Sequence, residues 1–353
     1  MIRISSIGKF LDQPILTAKL NKNMPALLTV GSGIFLGNQL RKTPEEDRAK
    51  IALKSVIILG ATGISALNAS KIAAFITKKE TTKPFKEIVQ NNTRTVEEYL
   101  KNNKFSEEIT AILEKAKTKI LSIKEVDKLN VKEHKTFLNK LVPPPENIQA
   151  KDLFKEIGWL SIYGAIPVAG GIAGGIAADK ITEPNWKKKV PNKINEGIYQ
   201  YLANIFMCNI GAGVALGILE KLNIKSKAAR CVGMTAGILL TGVIGGSAIA
   251  NYIGNKIVNP LILKKHQKEI RTPELLDLGL HSDDIATVSL LSGLKWIEPS
   301  LPLLYSISGY RAGIGYRNDK SHKHAQALNT SKLEVVSKNA KHEHEAHFLR
   351  HKC

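Results

Sequence analysis

Residues 157–178 read IGWLSIYGAIPVAGGIAGGIAA, an uncharged stretch in which glycines stand four apart as Gly170/Gly174 and Gly171/Gly175. The hydrocarbon core of a bilayer, about 30 Å thick, is crossed by about 20 apolar helical residues, so this stretch is long enough. In water each interior glycine would weaken a helix by about 1 kcal/mol relative to alanine. In lipid, glycines four apart let helix backbones approach closely and pack by dispersion. Pro167 is tolerable there as a kink. The same spacing recurs in the other apolar stretches, at Gly33/Gly37, Gly213/Gly217, Gly233/Gly237, Gly242/Gly246 and Gly309/Gly313. The pattern predicts an all-α fold: a multi-pass transmembrane helical bundle packed through these glycines.

Working outward, Ile198–Leu219 and Cys231–Ile253 meet the same length requirement. Met24–Leu40 is at the lower limit. Ser55–Ile76 is long enough if the Lys71 stem carries its charge to the headgroups. Ala286–Ile314 is interrupted by Lys295, Glu298, Pro299 and Pro302 and reads as a broken segment. About six apolar segments are therefore expected. The turn between the first two, RKTPEEDRAK at Arg41–Lys50, is too charged to sit at mid-bilayer depth, so these segments cross rather than dip. Loops on both sides are basic, so the excess of Lys and Arg that marks cytoplasmic loops does not fix orientation. The preferred arrangement puts both termini and the long Lys78–Lys155 segment in the cytoplasm. VGSGIFLG at Val30–Gly37 and IGAGVALG at Ile210–Gly217 form a faint repeat, which with three spans per half would be inverted.

Four regions follow from composition. Residues 1–79 hold two candidate membrane helices, and 80–155 form a lysine-rich helical extramembrane domain. Residues 156–316 hold four candidate segments, the last broken, and 317–353 form a basic, histidine-rich tail. Within 80–155, TVEEYLKNN and FSEEITAILEKAKTKILSI place apolar residues at helical spacing on charged faces. Ser106, followed by glutamates, is a candidate N-terminal cap. VPPPE at Val142–Glu146 stops the last helix and stiffens the connection.

The 353 residues carry a formal net charge of +20, although mean hydropathy is near zero. The basic residues flank the apolar segments: Arg41, Lys42, Lys78, Lys79, Lys187–Lys189, Lys225, Lys227, Lys264 and Lys265. Anionic headgroups are the expected partner, at about 1 kcal/mol per juxtamembrane cation. Aromatics interleaved for base stacking are absent, so no nucleic acid is expected. A homo-oligomer is compatible with the glycine faces. Cys208, Cys231 and Cys353 have no motif spacing and suit a reducing compartment. The first 23 residues lack the pattern of a cleavable signal peptide. A bacterial inner membrane fits these features.

Candidate sites are few. GATG at Gly60–Gly63 resembles the strand–turn–helix of dinucleotide-binding folds, but no strand with an acidic or basic ribose selector follows it. Asn68, Asn204, Asn209 and Asn251 could hydrogen-bond across helices, at about 0.6 kcal/mol each. Lys295 and Glu298 lie three apart just before the proline break and would form an intramembrane polar site if they sit at membrane depth. In the tail, His344, His347 and His351 share a helical face and form a candidate metal site. No catalytic constellation and no cofactor site is evident. The expected function is that of a non-enzymatic, transporter- or channel-like bundle. The alternatives are a structural or lipid-associated scaffold and, less well supported, a nucleotide-binding protein using the GATG turn.

Overall fold

The computed structural model describes residues 3–78, 84–143, 149–224, 226–263, 270–274 and 299–315. All regular elements among the described residues are helical. Helix α1 (Ile4–Leu11) leads into α2 (Pro14–Arg41), which has proline in its first turn, where a missing N–H costs nothing. Helix α3 (Glu45–Thr77) opens with Glu45, Glu46 and Asp47 at its positive dipole end and closes at Lys78 in the left-handed conformation. Four shorter helices follow: α4 (Phe85–Asn102), α5 (Glu107–Thr118), α6 (Ile123–Leu129) and α7 (Lys135–Leu141). They surround an apolar cluster that includes Val96, Leu113, Val126, Leu129 and Leu138. Ser106 caps α5, and Ser122 with Glu125 forms a reciprocal capping box on α6.

Helix α1 docks on these four helices. Ser6 donates to Asp127 at 2.6 Å and Lys9 to Asn139 at 2.6 Å. Gln13 behaves like a strand peptide, its amide donating to the Leu121 carbonyl at 2.9 Å and accepting from the Leu121 N–H at 2.8 Å.

The remaining helices build the apolar bundle: α8 (Ala150–Thr182), α9 (Trp186–Lys221), α10 (Ala229–Ile262) and α11 (Leu301–Ile314). Among the described residues four helices are long and apolar enough to cross a membrane, namely α3, α8 over Leu153–Thr182, α9 and α10. Of the six segments expected, Met24–Leu40 and Ala286–Ile314 are not among these four. In α2 the apolar run beginning at Met24 is diluted by Asn38, Gln39 and Arg41 on one side and Lys19, Lys22 and Asn23 on the other. Helix α11 has 14 residues, about 21 Å at 1.5 Å per residue, which is too short to cross. The front part of Ala286–Ile314 lies outside the described residues.

The glycines set how these helices meet. In α8 the paired glycines divide between two neighbours, because successive residues lie about 100° apart around a helix. A Cβ on Gly170 or Gly174 would collide with Ser65 and Ala61 of α3, and one on Gly171 or Gly175 with the backbones of Gly309 and Gly313 of α11. Gly237 faces the Gly211 carbonyl of α9, and Gly233 would strike Leu219 at 2.7 Å. Gly213 would strike Ile157 and Phe154 of α8 at 2.9 Å. Gly242 and Gly246 lie against Cys208 and Ala203, where π-helical turns at Leu239–Gly246 and Leu202–Phe206 face each other. Three glycines of the four-apart pairs do not behave this way. A Cβ on Gly33 or Gly37 would meet nothing within 4 Å, and one on Gly217 only Ala150 at 3.7 Å. Among the described residues no neighbour would touch a Cβ on Gly33 or Gly37, so the packing role expected of these two is not seen between the described helices.

Contacts also fix direction. Gly171 meets Gly309, Gly175 meets Gly313, and the Tyr163 and Tyr305 rings are 5.4 Å apart, so α8 and α11 run parallel. Asp179 pairs with Lys54, and Gly170 meets Ser65, so α3 runs against α8. Asn195 bonds Asn259 while Cys208 meets Gly242, so α9 runs against α10. Both α10 and α11 therefore finish at the Asp179 end. The hairpins α2–α3 and α9–α10 are oppositely oriented, but α8 and α11 share one direction, so a three-plus-three inverted repeat is not built. Helix α1 and helices α4–α7 sit at the end opposite Asp179, whereas the chain leaves α11 at the Asp179 end.

Candidate functional site

The bundle encloses a chain of buried polar and charged side chains on one face of α9. Lys193, Glu196, Gln200 and Asn204 recur at spacings of three and four, so they stack along the helix. From Lys193 to Asn204 the rise is about 16 Å. All four are buried, Glu196 and Gln200 completely.

At the outer end, Glu183 joins Lys50 at 3.3 Å and Lys189 at 2.9 Å. The hydrogen bond from Lys189 is the main cause holding the Glu183 carboxyl below its ordinary value, with Lys50 assisting and partial burial opposing. One turn further in, fully buried Asp179 of α8 is shared by Lys193 at 2.9 Å and Lys54 of α3. Lys193 also donates to the Gly313 carbonyl at the end of α11. That helix stops at Gly315 in the left-handed conformation, where a Cβ would press on the Lys193 backbone at 3.2 Å. Glycine is needed here both for φ and for room.

Next comes Glu196. Its two oxygens meet the Arg271 Nε at 3.3 Å and the Arg311 Nε at 3.8 Å, and Gln200 donates to it at 2.8 Å. Arg311 also reaches Glu274 at 3.1 Å. The Arg271 guanidinium lies 4.4 Å from the centre of the Tyr199 ring, a cation–π contact. Its backbone is held at both ends by Asn251, which accepts from the Arg271 N–H at 2.8 Å and donates to its carbonyl at 2.9 Å. Asn204 then donates to Gln200 at 2.9 Å, within the π-helical turn. Beside this chain, Tyr199 shares a hydrogen bond of 3.0 Å with Ser247, and Asn195 donates to Asn259 at 2.6 Å.

Two carboxylates, Asp179 and Glu196, thus hold three buried cations, Lys193, Arg271 and Arg311. Removing one partner of a buried pair leaves an uncompensated charge and costs about 3–5 kcal/mol. The arrangement holds charge in a water-poor interior, with the Gln200 and Asn204 amides extending the hydrogen-bond chain from Glu196. Among the described residues no group of three or more His, Cys, Asp or Glu could hold a metal ion.

The site anticipated from sequence is elsewhere. Lys295 and Glu298 lie outside the described residues, as do His344, His347 and His351. Gly60–Gly63 lies in the middle of α3, so the strand–turn–helix that a dinucleotide site requires is not formed there. Asn68 and Asn209 bond carbonyls of their own helices, whereas Asn251 does reach across, to Arg271. Asp179, Lys193 and Glu196 lie just outside the apolar runs that end at Ala178 and begin at Ile198, while Arg271 and Arg311 are distant in sequence and meet Glu196 only in the folded bundle. The Glu196–Gln200–Asn204 spacing was the available signal.

No family model matches the chain, and neither a curated protein nor a solved structure resembles it.

Proposed function

We propose that this protein is an integral, non-enzymatic membrane protein of the transporter or channel-like kind, whose working element is the buried chain from Lys193 to Asn204. The observation that carries this reading is Glu196, fully buried in a bundle of apolar helices between two arginines and joined through Gln200 to Asn204 at mid-helix. Ionisable groups at such depth are costly and are placed where ions, protons or polar solutes are handled. In this reading α2 lies in the bilayer beside α3 as a fifth crossing, its exposed Val30 and Ile34 covered by lipid, and α11 is an interior half-length helix. The lysine-rich, cysteine-poor composition supports a bacterial inner membrane.

The test is permeation in vesicles. Purified protein in liposomes is expected to speed entry of protons or small polar solutes over empty vesicles, and Glu196→Gln, compared in the fraction that elutes in detergent as the wild type does, is expected to slow it about tenfold. Equal rates for loaded and empty vesicles would remove the transport reading.

A scaffold is the second reading, favoured by the backbone contacts of Gly171 with Gly309 and Gly175 with Gly313. It expects Gly171→Leu to disrupt assembly while Glu196→Gln alters no flux.

A further inference from the structure

Between α2 and α3 runs an apolar groove of about 390 Å³, open along its outer side. Gly33, Gly60 and Gly63 line its floor, and a Cβ on any of them would meet nothing within 4 Å. These glycines create space rather than contact. The Thr29 hydroxyl, also in the lining, bonds the Pro25 carbonyl of its own helix at 2.9 Å; Ser32 is the other hydroxyl there, and the rest of the lining is apolar or glycine. Its length along α2, from Pro25 to Leu36, is about 16 Å, close to half of a ~30 Å hydrocarbon core and so one leaflet deep.

The two mouths differ. Beyond Leu36 stands a neutral cluster in which the side-chain amide oxygen of Gln39 accepts from Ser55 at 3.1 Å and from Tyr310 at 3.2 Å. At the other mouth, Lys22 stands three residues before Pro25 and Lys71 four after Leu67, one turn out on the faces that line the groove. Helix α2 carries no carboxylate, and α3 carries none after Asp47. Neither helix carries an acid near these lysines, and the Lys22 ammonium lies 5.9 Å from the centre of the Phe85 ring of α4, at this same mouth.

We infer that this groove binds one acyl chain of an anionic phospholipid from the leaflet on the α1 side, with its phosphate between Lys22 and Lys71. The inference rests on membrane embedding and not on transport, so either can fail alone. The experiment is native mass spectrometry of the full chain released from nanodiscs of equal phosphatidylglycerol and phosphatidylcholine. One phosphatidylglycerol per chain is expected to stay bound, in preference to phosphatidylcholine. Lys22→Ala with Lys71→Ala should lower its retention at least fivefold. Gly33→Leu and Gly60→Leu, at positions where a Cβ meets nothing within 4 Å, should lower it similarly in chains that unfold at the wild-type temperature, while Lys187→Ala with Lys188→Ala leaves it unchanged. Loss of all lipid from the wild type, equal retention of both lipids, or retention indifferent to the lysine and glycine variants would overturn the inference. So would a dimer abolished by Gly33→Leu, which would assign the groove to a second copy of the chain.

Discussion

Gly171 and Gly309 meet backbone to backbone: a Cβ on Gly171 would overlap the Gly309 carbonyl oxygen, and one on Gly309 the carbonyl of Pro167. The contact holds the short helix α11 parallel to α8 and so brings Arg311 to Glu196. It follows that Gly171→Leu destabilises the protein by about 1–3 kcal/mol or more through overpacking. By contrast, Gly33→Ala meets no neighbour and is neutral or stabilising by up to about 1 kcal/mol, as for an exposed helical glycine. Thermal unfolding of both variants in detergent checks the opposite signs; equal losses would refute the contrast.

Asp179→Asn should cost about 3–5 kcal/mol, because Lys193 then stays buried without a counter-charge. Adding Lys193→Met should recover part of that loss. A double-mutant cycle read by unfolding measures the coupling, and an additive result would refute it.

The ends of the bundle are expected to lie on opposite sides of the membrane. A cysteine at exposed Lys104, between α4 and α5, and one at exposed Lys187, each in a chain with its other cysteines replaced, should react with an impermeant thiol reagent from opposite faces of sealed vesicles. Labelling from the same face would contradict the directions of α2, α3 and α8.

Docking of α1 should be sensitive to acid. The Asp127 carboxyl is held below its ordinary value by the Ser6 hydroxyl first and then the Arg3 N–H, against slight desolvation. A depressed folded pKa gives stability that is complete above the unfolded value, about 3.9 for aspartate, and is lost as pH falls through the folded value. Hydrogen exchange over residues 4–11 should therefore accelerate below about pH 4. Asp127→Asn should remove that acid step, and an unchanged pH profile in this variant would count against the assignment. Glu125 titrates in the same direction, since bonds from Lys115 and Ser122 outweigh the burial that raises its pKa.

Helical class and the four long apolar helices were legible in the residues, because length and uninterrupted apolarity are properties of a segment by itself. The cap at Ser106 was legible for the same reason, and the Ser122–Glu125 box could have been read from its spacing. The site was not. Glu196 lies in NKINEGIYQY, which reads as a polar approach to a span, and Arg271 and Arg311 are far from it in sequence.

What the sequence determined alone is the set of helices that must hide from water and the glycines able to let them touch. Which glycines do so was decided by tertiary structure: Gly170 and Gly171 pack on different partners, whereas Gly33 and Gly37 touch none, since a Gly-x-x-x-Gly pair needs a facing backbone to act. The same holds for charge. Lysine, arginine and glutamate look like solvated ends wherever they flank an apolar run, and only packing of α3, α8, α9 and α11 at one end draws Asp179 and Glu196 out of water. Their partners come from other helices, and a pairing between distant segments is a property of the assembled bundle.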